Sequence, residues 1–293
     1  MEQTYVIKNV KSFNLNDVFE CGQCFRWNKE DDNSYTGIFL KNVLNVKEEI
    51  EENNKNIIIT GICDGDIKEV CNKYFDLDRD YEDIKNKLSK VDNYMKESIE
   101  YGEGIRILNQ DLWEMIISFI ISANNNIPRI KKIINNISKA YGEKIEYRGN
   151  IYYTFPRSKD LKDVTKENLR TLGLGFRDKY IIETTKMIEN NDINLVKLEQ
   201  EKDTKKVRNE LLKLSGVGPK VADCILLFST LKRFDVFPID VWVRRVMNDL
   251  YIHNEDENKV NKKEIEKIAK EKFGNLEGIA QQYLFNWRRA NEL

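Results

Sequence analysis

Two side chains, twenty residues apart, carry the chemistry that this sequence can support. Lys220 stands in the first turn of a helix that Pro219 is suited to begin, and Asp240 precedes a further helix. We expect burial and the positive end of the helix dipole to disfavour the ammonium form of Lys220, leaving a neutral, nucleophilic amine. Asp240, as a helix cap, is expected to be ionised and to stabilise a cationic sugar in a transition state.

The segment before Lys220 has the pattern of a helix–hairpin–helix. An apolar helical stretch ends at a turn with Gly216 and Gly218. The next helix presents an apolar face formed by Val221, Cys224, Ile225 and Phe228. The glycines permit a tight turn and leave amide N–H groups at a helix N-terminus, which is a suitable seat for a phosphate oxygen. These residues alone also fit a DNA-binding hairpin with a solvated lysine and an ordinary helix cap.

Composition limits the class of protein. The 293 residues suffice for one large or two ordinary domains, and 41% are hydrophobic, which permits a sizeable core. Five cysteines without a signal sequence indicate a reducing cytosol, so we expect a cytoplasmic protein. The longest uncharged apolar run, near 115–121, is too short to span a membrane. The net charge of −1 means that any surface for nucleic acid must be local.

The periodicity of apolar residues divides the chain into two parts. Runs of β-branched and aromatic residues in about the first 60 positions are typical of strands, and helical periodicity begins near Asp66. After residue 95 we expect helices nearly to the end. The predicted fold class is therefore α+β: an antiparallel β domain over 1–95 packed on a mainly α-helical domain over 96–293, with the hairpin near 207–230. No Pro- or Gly-rich linker separates the two parts.

The sequence Gly-Val-Gly-Pro-Lys-Val-Ala-Asp-Cys over 216–224, followed by Pro-Ile-Asp over 238–240, resembles the helix–hairpin–helix DNA glycosylase superfamily. Within it, the match is to the 8-oxoguanine DNA glycosylase/lyases of bacterial, clostridial-like type, in five segments in the family's order. The resemblance implies a bifunctional repair enzyme that excises 8-oxoguanine from duplex DNA. Lys220 would form a Schiff base with the sugar, and Asp240 would stabilise the oxocarbenium character. β-Elimination would then nick the strand at the abasic site.

The resemblance also implies a pocket for the flipped base, built from Gly22, Gln281, Phe285 and Cys224. The carbonyl of Gly22 would accept the N7 hydrogen of 8-oxoguanine, where guanine has a lone pair. Gln281 would read the Watson–Crick edge, and Phe285 and Cys224 would stack on opposite faces of the base. From the residues alone, Gly22 fits a turn between strands and Phe285 fits the core of an amphipathic closing helix.

The same resemblance implies that four residues contact the DNA strand opposite the lesion: Asn124, Arg129, Phe176 and Arg177. Asn124, in a run of three asparagines, and Arg129 would reach the orphaned base and the space left by the flipped one. Phe176 stands where the family has a tyrosine wedge, and Arg177 would contact the opposite base, expected to be cytosine. The alternative is a polar asparagine turn with Arg129 solvated on a helix.

Phosphate contacts are expected at Gly216, Gly218, Trp242, Arg244 and Arg288. The two glycines would hold a phosphate directly or through a structural monovalent cation. Eukaryotic members have a histidine at the position of Trp242 and an aspartate at that of Arg288. We expect these two side chains to stack as a cation–π pair whose guanidinium takes over the phosphate contact. No metal or organic cofactor is expected for catalysis, and no cysteine follows Cys224 to hold an iron–sulfur cluster.

Two alternatives remain at this stage. An alkylbase DNA glycosylase uses the aspartate with water and has no hairpin lysine, so Lys220 counts against it. A non-catalytic helix–hairpin–helix DNA-binding protein explains the hairpin but not Lys220, Asp240, Gln281 and Phe285 together. The expected partner is double-stranded DNA containing 8-oxoguanine, bound by a monomer in the nucleoid, without any membrane.

Overall fold

The first part of the chain is an antiparallel sheet. The structure, a computed structural model, describes residues 1–51, 54–256 and 259–291. Within those ranges the strands of this sheet are β1 (Gln3–Ile7), β2 (Trp27–Lys29), β3 (Tyr35–Phe39), β4 (Asn42–Glu51) and β5 (Asn54–Ile62). Their spatial order is β1-β5-β4-β3-β2, and each neighbouring pair is antiparallel. A short helix, α1 (Leu15–Phe19), lies between β1 and β2.

Aromatic side chains form much of the core of this sheet domain. Trp27 stacks on Phe19 with 4.2 Å between ring centroids, and Phe39 stacks on Tyr74 at 3.7 Å. The indole N–H of Trp27 donates to the Tyr74 hydroxyl at 2.9 Å, so its polar group is satisfied inside the core. Tyr74 belongs to the first helix after the sheet, which therefore packs against the strands.

The rest of the chain is mainly helical. Its helices are α2 (Ile67–Tyr74), α3 (Tyr81–Leu88), α4 (Asn93–Tyr101), α5 (Leu112–Ser122), α6 (Ile127–Tyr141), α7 (Ser158–Leu161), α8 (Lys166–Thr171), α9 (Asp178–Glu189), α10 (Leu195–Gln200), α11 (Thr204–Leu211), α12 (Pro219–Phe228), α13 (Val241–Met247), α14 (Lys262–Phe273) and α15 (Glu277–Asn291). A 3-10 turn spans Gly175–Arg177, and a π-helical turn spans Asn248–Ile252.

Helix α5 occupies the centre of the larger core. Its residues from Leu112 to Ile121 are all buried, and it contacts both α6 and α12. Asp111 caps it by accepting the Glu114 N–H at 2.8 Å, and Asn126 caps α6 in the same way with the Arg129 N–H at 3.0 Å. The caps fix where each helix begins, and the short turn between α5 and α6 therefore has a defined position.

The predicted α+β class is confirmed, and the hairpin lies where it was expected, between α11 and α12. The expectation of helix nearly throughout the region after residue 95 was wrong at one place. Strands β6 (Lys144–Tyr147) and β7 (Asn150–Tyr153) pair there as an antiparallel hairpin. Its two-residue turn, Arg148-Gly149, has positive φ at both positions, which matches the twist of a tight hairpin. The expected domain boundary at 95/96 stays a prediction.

Among the helices of the described ranges, none is long and apolar enough to cross a membrane.

Candidate active site

The hairpin between α11 and α12 has two glycines with different local requirements. Gly216 has φ of +81°, and a Cβ there would lie 2.8 Å from Tyr180. Gly218 is the N-cap of α12, and a Cβ on it would meet nothing within 4 Å. Gly216 is thus required by the turn itself, whereas Gly218 leaves the end of the helix open. A bidentate pair between Arg208 and Asp223 joins the two helices behind the turn, with N–O distances of 2.6 and 3.1 Å.

Lys220 is the second residue of α12 and is largely buried. Its ammonium nitrogen lies 5.6 Å from the centroid of the Phe119 ring. The neighbouring Cys224 sulfur and, to a smaller extent, the Asp240 carboxylate raise the pKa of Lys220 above its ordinary value, against the opposing effect of burial. Burial in turn raises the pKa of the Cys224 thiol to about 11. This direction is opposite to the expected lowering of the Lys220 pKa, because the neighbouring groups outweigh desolvation.

Asp240 is held in one orientation by the backbone of α13. It is the N-cap of that helix, and its carboxylate accepts the Val243 N–H at 2.8 Å. The carboxylate and Lys220 line the same two cavities, although they come from different helices. A fixed carboxylate and an amine on the wall of one cavity are the pair that the sequence predicted.

Two adjoining cavities form the site. The first, here called the base slot, has a volume of about 70 Å³. Its walls include Gly22, Lys220, Cys224, Asp240, Gln281 and Phe285. The second, here called the mouth, has a volume of about 690 Å³ and shares Gly22, Lys220, Asp240 and Phe285 with the base slot. The structure thus brings all six residues predicted for catalysis and base recognition into one place.

The turn that carries Gly22 is fixed from both sides. Gly22 itself has φ of +87°, and a Cβ there would lie 3.8 Å from the Phe285 ring. The Gln282 side chain of α15 donates to the Cys21 carbonyl at 2.6 Å. The buried Gln23 amide donates to the carbonyls of Val18 and Arg106. Because both flanking residues are anchored, the Gly22 peptide has a defined position beside Phe285.

Arg289 was not predicted from the sequence, yet it belongs to the mouth. Its guanidinium carbon lies 5.5 Å from the centroid of the Phe285 ring, and it donates to the Glu20 carbonyl. It therefore contacts both the stacking residue and the segment that carries Gly22. The signal in the sequence was its position four residues after Phe285, on the same helix face.

Three of the four residues expected at the opposite strand are exposed, and they are Asn124, Arg129 and Phe176. The Phe176 side chain is 54% exposed, although it is a large hydrophobic residue, and Asn124 and Arg129 are also exposed. Asn124 has φ of +51°. The other two asparagines support the turn, because Asn126 caps α6 and Asn125 donates to the Ile121 carbonyl at 3.1 Å. Their roles toward DNA stay predictions.

Arg177 is packed beneath this surface, and its contact with the opposite base stays a prediction. It is only 2% exposed, and its guanidinium lies 4.4 Å from the centroid of the Phe176 ring. The guanidinium donates to the carbonyls of Ala123 and Asn124, the latter at 2.8 Å. Its donors therefore fix the asparagine turn, and its ring contact supports the exposed Phe176 from below.

The expected stack of Trp242 on Arg288 is also corrected. Arg245, one turn along α13, lies over the Trp242 ring at 5.3 Å. Arg288 instead lies 5.7 Å from the Trp287 centroid and forms an ion pair with Asp249. The i, i+3 spacing on one helix brings the first pair together without any help from α15. Trp242 and Arg245 both line the mouth.

The residues expected to contact phosphate lie partly outside the two cavities. Arg244, also on α13, is not among the described residues that line the two cavities. Its contact with a phosphate stays a prediction, as do those of Gly216, Gly218, Trp242 and Arg288. Within 1–51, 54–256 and 259–291, no group of three or more His, Cys, Asp or Glu residues is placed to hold a metal ion.

The sequence matches two models of known protein families, one in each part of the chain. Residues 5–116 match the sequence model described as "8-oxoguanine DNA glycosylase, N-terminal domain". Residues 117–274 match the one described as "HhH-GPD superfamily base excision DNA repair protein". Together the two matches extend over both the sheet and the hairpin.

Two curated relatives are similar over most of the chain. A probable N-glycosylase/DNA lyase of Methanothermobacter thermautotrophicus is 33% identical over 248 residues, which are 78% of this chain and 76% of that protein. The N-glycosylase/DNA lyase of Saccharomyces cerevisiae is 32% identical over 252 residues, which are 79% of this chain and 66% of that protein.

A solved structure matches the whole chain. It is the 8-oxoguanine glycosylase/lyase of Clostridium acetobutylicum in complex with double-stranded DNA containing cytosine opposite to 8-oxoG. The identity is 44% and the TM-score is 0.91, with 100% of this chain and 99% of that chain covered.

Proposed function

The chain belongs to the 8-oxoguanine DNA glycosylase family of the HhH-GPD base excision repair superfamily, and we propose that it excises 8-oxoguanine from duplex DNA through a lysine Schiff base. It is a DNA N-glycosylase with lyase activity at the resulting abasic site. Its partner is double-stranded DNA that contains 8-oxoguanine. We also propose that it acts as a monomer in the cytoplasm, at the nucleoid where this DNA lies.

One observation carries the assignment of the residues. Lys220 and Asp240 line a single cavity together with the residues suited to hold a flipped purine. The base would lie between the Cys224 thiol and the Phe285 ring, with Gln281 at its Watson–Crick edge and the Gly22 carbonyl at its N7 hydrogen. A base removed from the duplex loses its stacking, and this slot would replace it.

The proposed reaction includes the transfer of a proton from Lys220, a step that was not predicted from the sequence. A raised pKa favours the ammonium form of Lys220, so the proposed reaction moves its proton before the amine attacks C1′ of the deoxyribose. The departing purine takes the electron pair of the glycosidic bond, and it is an acceptor for that proton. Asp240, held by its helix cap, stabilises the positive charge that develops on the sugar. The Schiff base then permits β-elimination, which breaks the strand 3′ to the lesion.

The remaining contacts serve to hold and open the duplex. The exposed Phe176 ring would fill the space left by the flipped base, and Asn124 and Arg129 would face the orphaned base. The open N-terminus of α12, at Gly218, would accept a phosphate, directly or through a monovalent cation. The proposed chemistry uses no metal or organic cofactor.

Borohydride trapping tests this function. A duplex containing 8-oxoguanine opposite cytosine should yield a covalent adduct with the wild-type protein, because borohydride reduces the Schiff base. Lys220→Gln should give no adduct, and Asp240→Asn should slow excision while still trapping on a preformed abasic site.

Lys179→Gln is the matched control, since Lys179 also lies near an aromatic ring, 4.9 Å from Tyr180, but lines neither cavity. This variant should trap as wild type does. If wild-type protein binds the duplex and no adduct forms, the chain is a non-catalytic binding protein. Release of 3-methyladenine without any adduct would instead indicate an alkylbase glycosylase.

A further inference from the structure

A second concave surface lies next to the mouth. This surface, here called the lateral groove, has a volume of about 490 Å³ and is formed where the β2–β3 edge of the sheet meets α6 and β7. It shares the buried Phe25 with the mouth, so the two cavities adjoin at this side chain. The lateral groove is therefore adjacent to the DNA site but has no part in the chemistry described above.

The charge of the lateral groove is strongly positive. Its lining includes Arg26, Lys131, Lys132 and Lys139 and no acidic residue among those described. Arg26 forms an ion pair with Glu114 at 3.6 Å behind the wall. Among the described residues the three lysines form no ion pair, although Lys131 donates to the Trp27 carbonyl at 2.9 Å. In a protein with a net charge of −1, three such cations in one hollow select for an anion.

Helix α6 connects this groove to the opposite-strand surface. Arg129, in its first turn, is exposed beside the asparagine turn, and Lys132 and Lys139 are exposed further along the same helix. From Arg129 to Lys139 the helix advances about 15 Å at 1.5 Å per residue. The same distance is about four base pairs of duplex at 3.4 Å per step. The far end of the groove therefore lies about four base-pair steps from Arg129, within the length of a short duplex flank.

We propose that the lateral groove binds the phosphodiester backbone of the DNA flank about four base pairs from the lesion, through Lys132 and Lys139. This inference rests on the proposed function, because it takes the lesion duplex as the polyanion already present at the mouth. Such contacts position the duplex and add affinity without reading its sequence. The groove would thus lengthen the stretch of DNA that the protein covers on one side of the lesion only. That side is the one toward the C-terminal end of α6.

The test is the salt dependence of binding by the double variant Lys132→Gln/Lys139→Gln. Loss of two phosphate contacts should reduce the slope of log K against log salt by about 2. Between 50 and 200 mM salt, the affinity of the double variant should then fall by about tenfold less than that of wild type. The control, Lys68→Gln/Lys90→Gln, removes two exposed lysines that do not line the groove and should keep the wild-type slope.

Duplex truncation supplies the second readout. Shortening the lesion duplex to about three base pairs on one side at a time should weaken wild-type binding for only one of the two sides. The double variant should bind both truncated duplexes equally. A wild-type salt slope in the double variant, or an equal loss in the control, would overturn the proposal. The proposal would also be overturned if the groove binds a free nucleotide instead of DNA. In that case AMP would raise the melting temperature of wild type but not of the double variant, and the two proteins would bind DNA equally.

Excision by the double variant, measured with saturating DNA at low salt, should equal that of wild type. Its borohydride adduct should also form. This separates the two proposals, because a failed groove leaves trapping intact, whereas a failed enzyme assignment abolishes trapping in the wild-type protein itself.

Discussion

The protonation of Lys220 is decided by its immediate neighbours. A buried amine near a helix N-terminus should have a lowered pKa, but Cys224 lies one turn along α12 and Asp240 faces the same cavity. Both groups favour the ammonium form. The nucleophile is therefore stored in its protonated state, and its activation depends on the arrival of a base that can accept the proton.

A pH profile of Cys224→Ala tests this coupling. Removing Cys224 removes the larger of the two influences that raise the pKa of Lys220, so this pKa should fall. The proposed reaction starts from the ammonium form, which is lost above the pKa, and the falling limb of the excision rate should therefore move to lower pH. Single-turnover excision between about pH 6 and 10 measures the shift. The plateau should also fall, because one wall of the base slot is lost.

Cys63→Ala, a half-buried cysteine of the sheet domain, is the control and should leave the limb in place. An unmoved limb in Cys224→Ala would mean that Lys220 does not limit the rate through its proton.

Arg289 is expected to position Phe285 and the Gly22 turn. Arg289→Leu removes both the cation over the ring and the bond to the Glu20 carbonyl, which together contribute about 1–2 kcal/mol. We expect kcat/KM for 8-oxoguanine excision to fall roughly 5- to 30-fold, by the usual conversion of free energy to rate. Arg289→Lys keeps the charge and should recover part of the loss. Equal kcat/KM in all three proteins would show that the ring and turn are positioned without Arg289.

At the scale of elements, the hairpin separates a folding requirement from a binding requirement. Gly216→Ala places a Cβ at positive φ and 2.8 Å from Tyr180, which should lower the free energy of unfolding by about 2–4 kcal/mol. Gly218→Ala meets no atom within 4 Å and should cost only about 0.5–1 kcal/mol as a poorer N-cap. Urea unfolding measures both values.

The affinity for lesion duplex should show a different pattern. Gly218→Ala should remain folded but bind the duplex several-fold more weakly than wild type does. Its methyl group would stand where the phosphate approaches the end of the helix. If both variants lose stability equally and Gly218→Ala binds normally, the open N-terminus is not a phosphate site.

At the scale of the whole molecule, the site joins segments from both ends of the chain. Gly22 comes from the sheet domain, Lys220 from the hairpin, and Gln281 and Phe285 from the last helix. The bond from Gln282 to the Cys21 carbonyl connects residues 261 positions apart. The base slot therefore exists only when both halves of the chain are packed together. Loss of this packing should abolish activity.

Glu114 makes this packing dependent on pH. Burial raises the pKa of Glu114 to about 7, against the partial compensation of Arg26 at 3.6 Å. A carboxyl with a raised pKa in the folded state binds more protons there than in the unfolded state, at any pH between the two pKa values. Its contribution to stability is thus complete below its unfolded pKa of about 4.3 and is lost as the pH rises through 7.

Glu114→Gln should remove that loss. We expect the variant to match wild type near pH 5 and to exceed it by about 1–3 kcal/mol near pH 8, in urea unfolding at both pH values. Identical pH dependence of the two proteins would mean that Glu114 is ionised throughout this range. Glu97→Gln, on α4 and exposed, is a control without an expected effect.

The local elements of this protein followed from its sequence. The hairpin, the first residues of α5, α6 and α12, and the cap at Asp240 depend on residues within a few positions of one another. Glycine, proline and capping side chains determine such features through backbone geometry alone. The β6–β7 hairpin was not predicted although its Arg-Gly turn is local, because each of its strands has only four residues, too few to show a period of two.

Tertiary structure decided what each chemical group meets. The pKa of Lys220 depends on Cys224 of its own helix and, less strongly, on a carboxylate from another helix. Arg177 is directed inward by carbonyls that lie more than fifty positions earlier. The partner of Trp242 and the inclusion of Arg289 were likewise determined by packing. Charge and hydrogen-bonding interactions act over a few ångströms in space regardless of separation along the chain. A sequence read along its length can therefore place the functional groups on their elements but cannot assign their neighbours.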